Sequence, residues 1–171
     1  YHQKALNDYG LDDTWPDGVL VNAKKIEDQF LDDKHRLEDF PFVTIDGEDA
    51  KDFDDAIYAE KINDNEWKII VSIADVSFYI KENSILDKKA KLRGNSIYFP
   101  NMVIPMFPEE ISNNLCSLRE NEKKLCLSVE IKITNDGKKI SHKFYKSIIK
   151  PKKRFTYQQI EELINSNFSN K

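Results

Sequence analysis

The 171-residue chain is 40% apolar and one-third charged, with 5 glycines and 6 prolines, which suits one folded domain and excludes a disordered or fibrous chain. No apolar run approaches the ~18 residues of a membrane span, and no secretory signal pattern opens the chain, so we expect a cytoplasmic protein without a membrane partner. The net charge of −4 argues against indiscriminate nucleic-acid binding, but it hides an asymmetry: residues 1–66 carry 19 acids and 7 bases, and residues 67–171 carry 11 acids and 19 bases. Cys116 and Cys126 read as reduced core residues, and the three histidines have no metal-ligand spacing. The chain opens at Tyr1 without a methionine and is expected to be part of something longer.

In chain order, residues 1–38 are expected to form a helical connector ahead of the folded domain at 39–171. A short helix should stop at Gly10, and Trp15-Pro16-Asp17-Gly18 reads as a turn. Val19 to Leu31 suits an amphipathic helix, with Val19, Ala23, Ile26 and Phe30 on one face. His35 to Asp39 reads as polar linker. The core should begin near Phe40, with strands at about 42–46, 56–62 and 67–74, the last two joined by an Asn63-Asp64-Asn65 turn.

Between the first two strands lies the stretch with the most chemistry. Asp46, Glu48, Asp49, Asp52, Asp54 and Asp55 fall within ten residues, answered locally by Lys51 alone. An acid-rich segment is most often a solvated loop, but strands on both sides keep these acids from spreading as a tail can. In an extended Asp52-Phe53-Asp54 the two aspartates share one face while Phe53 turns towards a core. Two unit charges ~4 Å apart repel by ~1 kcal/mol in water and ~4 kcal/mol at an effective dielectric of 20. Oxygen-only ligands under that repulsion point to a hard divalent cation, Mg²⁺ or Mn²⁺. Spacing rules out a calcium EF-hand, because from Asp46 the sixth residue is Lys51 and the twelfth Ile57. A ribonuclease-H-like reading of Asp46 and Glu48 leaves Asp52, Asp54 and Asp55 without a purpose.

Further along, Asp75 reads as a cap ending its strand. A helix should run from Ser84, its N-cap, to Arg93, closed by Gly94. Pro100, Pro105 and Pro108 imply an extended surface path, on which Tyr98 and Phe99 read either as buried anchors, the commoner fate, or as aromatics stacking on bases. The clearest hairpin pairs 123–133 with 138–149 through Asn135-Asp136-Gly137. Its second strand carries most of a basic strip from Lys138 through Lys150, Lys152 and Lys153 to Arg154, which reads either as a polyanion track or as a solvated face. Thr156 should cap a closing helix.

Several blocks now resemble one family. VTIDGEDAKDFDDA (43–56), IADVSFYI (73–80), RGNSIYFP (93–100), VIPMFP (103–108), SNNLCSL (112–118) and RFTY (154–157) stand in the order found in the catalytic domain of the ribonuclease II/R family, with wording nearest its bacterial ribonuclease R branch. The resemblance implies an α+β fold, a mixed and mainly antiparallel sheet with flanking helices, here only the N-terminal portion of the catalytic domain. It also implies processive hydrolysis of single-stranded RNA from the 3′ end with Mg²⁺, or Mn²⁺ in its place, releasing nucleoside 5′-monophosphates. Asp46, Asp52, Asp54 and Asp55 match its four active-site aspartates; all four would hold metal, with Asp52 and Asp54 closest to the chemistry and Asp54 most needed. Tyr98 matches an aromatic that clamps terminal bases, and Tyr157 a tyrosine near the sugar. Lys152 and Arg154 would meet RNA. A monomer with further cold-shock and S1 domains is implied for the full protein, and little or no activity for this portion alone. The alternative is a non-catalytic RNA-binding module.

Overall fold

Alternating apolar and polar residues build a seven-stranded sheet: β1 (His35–Leu37), β2 (Val43–Asp46), β3 (Asp55–Asn63), β4 (Glu66–Ala74), β7 (Lys124–Thr134), β8 (Lys139–Ile149) and β9 (Lys153–Thr156). Their order is β1-β8-β7-β4-β3-β2-β9. The inner pairings are antiparallel, and the outermost two, β1 with β8 and β2 with β9, are parallel. The computed structural model describes residues 2–28, 34–100 and 102–168. Fold class and mixed, mainly antiparallel topology are as the resemblance implies.

The two sheet faces differ. On one, Ala56, Ile70, Ser72, Cys126 and Ser147 are buried, and the hydroxyls of Ser72, Ser128 and Ser147 form a ladder across three strands at 2.7 and 2.6 Å. Each buried hydroxyl thereby has a partner, which keeps the desolvation cost low. On the other face Ile57, Ile73, Leu127 and Phe144 remain 37–66% exposed. Phe42, Leu118, Leu125, Ile148 and Ile149 fill the core of this unit, which comprises residues 28–75 and 116–171. Its last element, α5 (Tyr157–Phe168), opens with a reciprocal cap, Thr156 Oγ1 accepting from the Gln159 N–H and Gln159 Oε1 from the Thr156 N–H.

The second compact unit joins residues up to 27 with 76–115. It holds α1 (His2–Tyr9), α2 (Asp17–Ala23), α3 (Val76–Tyr79), α4 (Ile85–Arg93), the hairpin strands β5 (Ile97–Phe99) and β6 (Met102–Ile104), and a π-helical turn at Ile111–Leu115. Arg93 ties three of its parts together. The guanidinium donates to the carbonyls of Pro105 (2.6 Å) and Thr14 (2.7 Å) and lies 3.6 Å from the centre of the Trp15 ring.

Several expectations need correction. α2 takes in Asp17 and Gly18, read as a turn, because Pro16 enters the helix from extended backbone. It ends at Ala23, since only Val19 and Ala23 are buried and Lys24-Lys25 follow; the expected continuation to Leu31, including Phe30, lies outside the described residues beyond 28. His35–Leu37 is not linker but an edge strand, held by backbone pairing that needs no apolar pattern. The proline-guarded path folds back as the β5–β6 pair, because Pro100 and Pro105 flank the ladder instead of interrupting it. The capped α4 is as expected, with Ser84 Oγ accepting from the Asp87 N–H and Gly94 at φ +76°. Both cysteines are buried and free. Among the described residues, no helix is long and apolar enough to cross a membrane.

Candidate metal centre

β2 ends at Asp46 and β3 begins at Asp55. The strands are antiparallel neighbours with Val43 opposite Ile57, so both acids arrive at the same end of the sheet. Residues 47–54 connect them and carry Asp52 and Asp54. Three anchors hold the second half of that loop. Ser117 Oγ donates to the Lys51 carbonyl (2.7 Å) and accepts from the Phe53 N–H (3.2 Å). The Leu118 N–H donates to the Phe53 carbonyl (2.8 Å), and the Ala74 N–H to that of Asp54 (3.0 Å). Phe53 is buried between its two acidic neighbours, so the alternation expected of this stretch is present.

The electrostatics follow from that placement. Burial, then Asp55, pushes the Asp46 carboxyl up, Arg154 partly opposes them, and Asp52 adds to the rise. Asp54 is pushed up by desolvation, then by Asp52, Asp55 and Asp46. Its side chain reaches the surface, yet enough protein surrounds it that lost solvation outweighs each neighbouring charge. The four aspartates therefore share one field. Asp46 Oδ2 is buried and has no hydrogen-bond partner, a cost that an added donor or cation would remove. Among the described residues, no three acidic, histidine or cysteine side chains close into a finished cage. Carboxylate donors and an orphaned inward oxygen fit a hard divalent cation, held in an open arrangement.

Of the other candidates, Tyr157 and Arg154 lie at this end, and Lys152 lies at the Phe42 end of β2. Asp46 pairs with Thr156 across β2 and β9, which sets Tyr157, 62% exposed at the start of α5, beside the acids. The Lys152 side chain is exposed, and its N–H donates to the Phe42 carbonyl. Arg154 Nη2 donates to the carbonyls of Gly47 (2.7 Å) and Glu48 (2.8 Å). Tyr98, in the other unit, is 65% exposed on β5. The basic strip is partly neutralised, with Lys143 3.3 Å from Glu130 and Lys146 3.6 Å from the buried Asp75. The anchoring by Ser117 and Arg154 was missed in the sequence because these residues lie 64 to 107 positions from the atoms they hold. Only the Thr156-to-Gln159 capping spacing was a local clue.

Known proteins resemble this chain in sequence and fold. The RNB domain family model matches residues 34–171. Ribonuclease R of Acidithiobacillus ferrooxidans is 43% identical over 164 residues, which is 94% of this chain and 37% of that relative. RNase R of Mycoplasma genitalium, solved in complex with double-stranded RNA, superposes with a TM-score of 0.91 at 35% identity, covering 95% of this chain and 29% of that one. Its complex with ribose methylated single-stranded RNA gives 0.86 at 36% identity, covering 92% and 26%. This chain thus spans little more than a third of the curated relative and under 30% of either solved chain. With its sheet, its acidic loop and a model match over most of its length, the chain belongs to the RNB domain family.

Proposed function

We propose that this chain supplies the metal-binding part of an exoribonuclease active site, acting on single-stranded RNA from the 3′ end and releasing nucleoside 5′-monophosphates. The observation that carries the reading is the crowding of Asp46, Asp52, Asp54 and Asp55 at one sheet end, with Asp46 Oδ2 buried and unpartnered. A stable fold tolerates such like-charge crowding where function uses it. RNA as the substrate class draws on the RNase R complexes solved with single- and double-stranded RNA.

In this reading Asp46, Asp52 and Asp55 hold Mg²⁺ or Mn²⁺, and Asp54 both binds metal and orients the attacking water through a carboxylate oxygen. Bound cations would lower the pKa of that water and neutralise charge on the leaving oxygen. The water oxygen would bond to phosphorus as the P–O3′ bond breaks, one water proton ends on O3′ as the 3′-hydroxyl of the shortened RNA, and the 5′-phosphate leaves on the terminal nucleoside. Tyr157 offers its hydroxyl near the sugar, where a 2′-hydroxyl partner separates RNA from DNA. Tyr98 stacks on bases, worth ~1–3 kcal/mol per base, and Lys152 meets phosphate. The test is a Mn²⁺ titration of the chain against a variant carrying Asp46→Asn and Asp55→Asn. Saturable binding lost in the variant supports the assignment; equal or absent binding in both overturns it.

A further inference from the structure

Arg154 is the last member of the basic strip, and composition alone would send it to an RNA phosphate. Its surroundings direct it elsewhere. Nη2 is shared between the Gly47 and Glu48 carbonyls at 2.7 and 2.8 Å. Nε is buried without a hydrogen-bond partner, and the guanidinium carbon lies 5.1 Å from the centre of the Phe53 ring. The backbone is fixed as well, since the Arg154 N–H donates to a Glu120 carboxylate oxygen at 3.0 Å and β9 pairs Arg154 with Thr44 of β2. A group that serves mobile phosphates does best presenting its whole fork to solvent. Here two adjacent carbonyls, immediately after Asp46, take a donor from it.

We propose that Arg154 is a positioning residue of the acidic loop: by gripping the Gly47 and Glu48 carbonyls it sets the path of the chain between Asp46 and Asp52, and it does not contact RNA. This rests on the metal-site reading above and adds its support from β9. Ser117 is the matching anchor on the far side of the loop, holding Lys51 and Phe53. Between them the loop is fastened at its beginning and its end, leaving the carboxylates to be aimed by backbone that cannot drift. A guanidinium suits the job because its planar fork carries several donors and lies 5.1 Å from the centre of the Phe53 ring; a lysine ammonium lacks that shape.

The test uses the chain with Arg154→Ala, Arg154→Lys and, as a control, Asp46→Asn. Free Mn²⁺ is followed by electron paramagnetic resonance, and a labelled single-stranded oligoribonucleotide is titrated without divalent ions across a range of salt. Loosening a group that orients metal ligands typically costs about 10–100-fold in metal affinity. That loss is expected in both Arg154 variants, with the salt slope of any RNA binding unchanged. Unaltered Mn²⁺ affinity in Arg154→Ala overturns the proposal, as does a salt slope shallower by about one phosphate contact. If Arg154→Ala does not fold by circular dichroism, Arg154→Lys decides, because it keeps the charge and loses the fork. Wild-type chain that binds no Mn²⁺, or binds it as well as Asp46→Asn, sinks the metal site itself and this inference with it, whereas intact, Asp46-dependent binding that ignores Arg154 sinks the inference alone.

Discussion

Two acidic regions of the molecule treat the same side chain in opposite ways. At the start of α4, Asp87 accepts from the Asn83 N–H at 2.8 Å and pairs with Lys91 at 2.9 Å, and its own N–H caps onto Ser84 Oγ. The Lys91 hydrogen bond first, then the Asn83 backbone, holds that carboxyl below its ordinary range. In the loop between β2 and β3, Asp46 and Asp54 are pushed above it by burial and by one another. Carboxylates that serve the fold are given donors. Those in the loop are given more carboxylates and, on Asp46, an oxygen with no partner. The difference marks the loop as a place where stability is spent on something else.

The largest effect expected from that contrast is on turnover. In an RNA-degrading form of the protein, Asp54→Asn should lower the rate by on the order of 10²–10³-fold, the scale of removing one charge-stabilising group, while RNA affinity changes little. Loss of affinity with unchanged turnover at saturating RNA would place Asp54 in binding instead, and the comparison would break.

The next effect has the opposite sign for the fold. Without divalent cations, Asp54→Asn should raise the Tm of the chain, because it removes a charge whose folded environment disfavours it. The pH dependence follows. A carboxyl raised above its ordinary 3.8 binds its proton more tightly folded than unfolded, so its contribution to stability falls as pH rises through the folded pKa and recovers below it. The Tm advantage of Asp54→Asn should therefore shrink as pH is lowered from neutrality towards 4. Asp87 has a lowered carboxyl, so its contribution is present above 3.8 and is lost as pH falls. Thermal scans of wild type, Asp54→Asn and Asp87→Asn at several pH values read both slopes. Parallel slopes would erase the distinction.

How much of this could be read from the chain follows from the range of the interactions. Asp46, Asp52, Asp54 and Asp55 stand close in sequence, their alternation with Phe53 is local, and the flanking strands have clean apolar patterns, so both the loop and the central strands were legible. Ser84, Gly94 and the Asn135-Asp136-Gly137 turn were legible for the same reason. β1 and β9 were not: each is a short edge strand held by parallel backbone pairing to a distant partner, with no side-chain rhythm of its own. Arg154 looked like one more lysine-like charge until β9 carried it under Gly47. The helix expected from Val19 stops at Ala23 because an apolar period says which face would be buried, and not whether a partner is there to bury it.

A milder change at α4 sharpens the contrast from the structural side. Ser84→Ala removes the N-cap hydroxyl that accepts from the Asp87 N–H, and it should cost about 0.5–2 kcal/mol. Chemical denaturation would show this as a lower midpoint with an unchanged slope. Mn²⁺ binding should not move, since the cap and the acidic loop belong to different compact units. A cap variant that lost metal would mean that any destabilisation impairs the site, and the Asp54 and Arg154 results would then need reading as stability effects.

The smallest effect separates the two regions by salt. Lys91→Ala removes one partner of a surface pair four residues apart, with 61% of the Lys91 side chain exposed, so only a small drop in Tm is expected at low ionic strength. Raising salt from 0.1 M to 1 M shortens the screening length from about 10 Å to about 3 Å. Screening should close the gap between Lys91→Ala and wild type by weakening an attraction. The same salt weakens a repulsion among Asp46, Asp52, Asp54 and Asp55, so the metal-free gap between Asp54→Asn and wild type should close from the other side, wild type gaining relative to the variant. Attraction and repulsion thus predict convergence in opposite directions within one experiment, which non-specific salt stabilisation cannot imitate because it shifts every variant alike. If salt left the Asp54→Asn advantage untouched, desolvation alone would explain the raised carboxyl, and the aspartates would not be near enough to act on a shared cation.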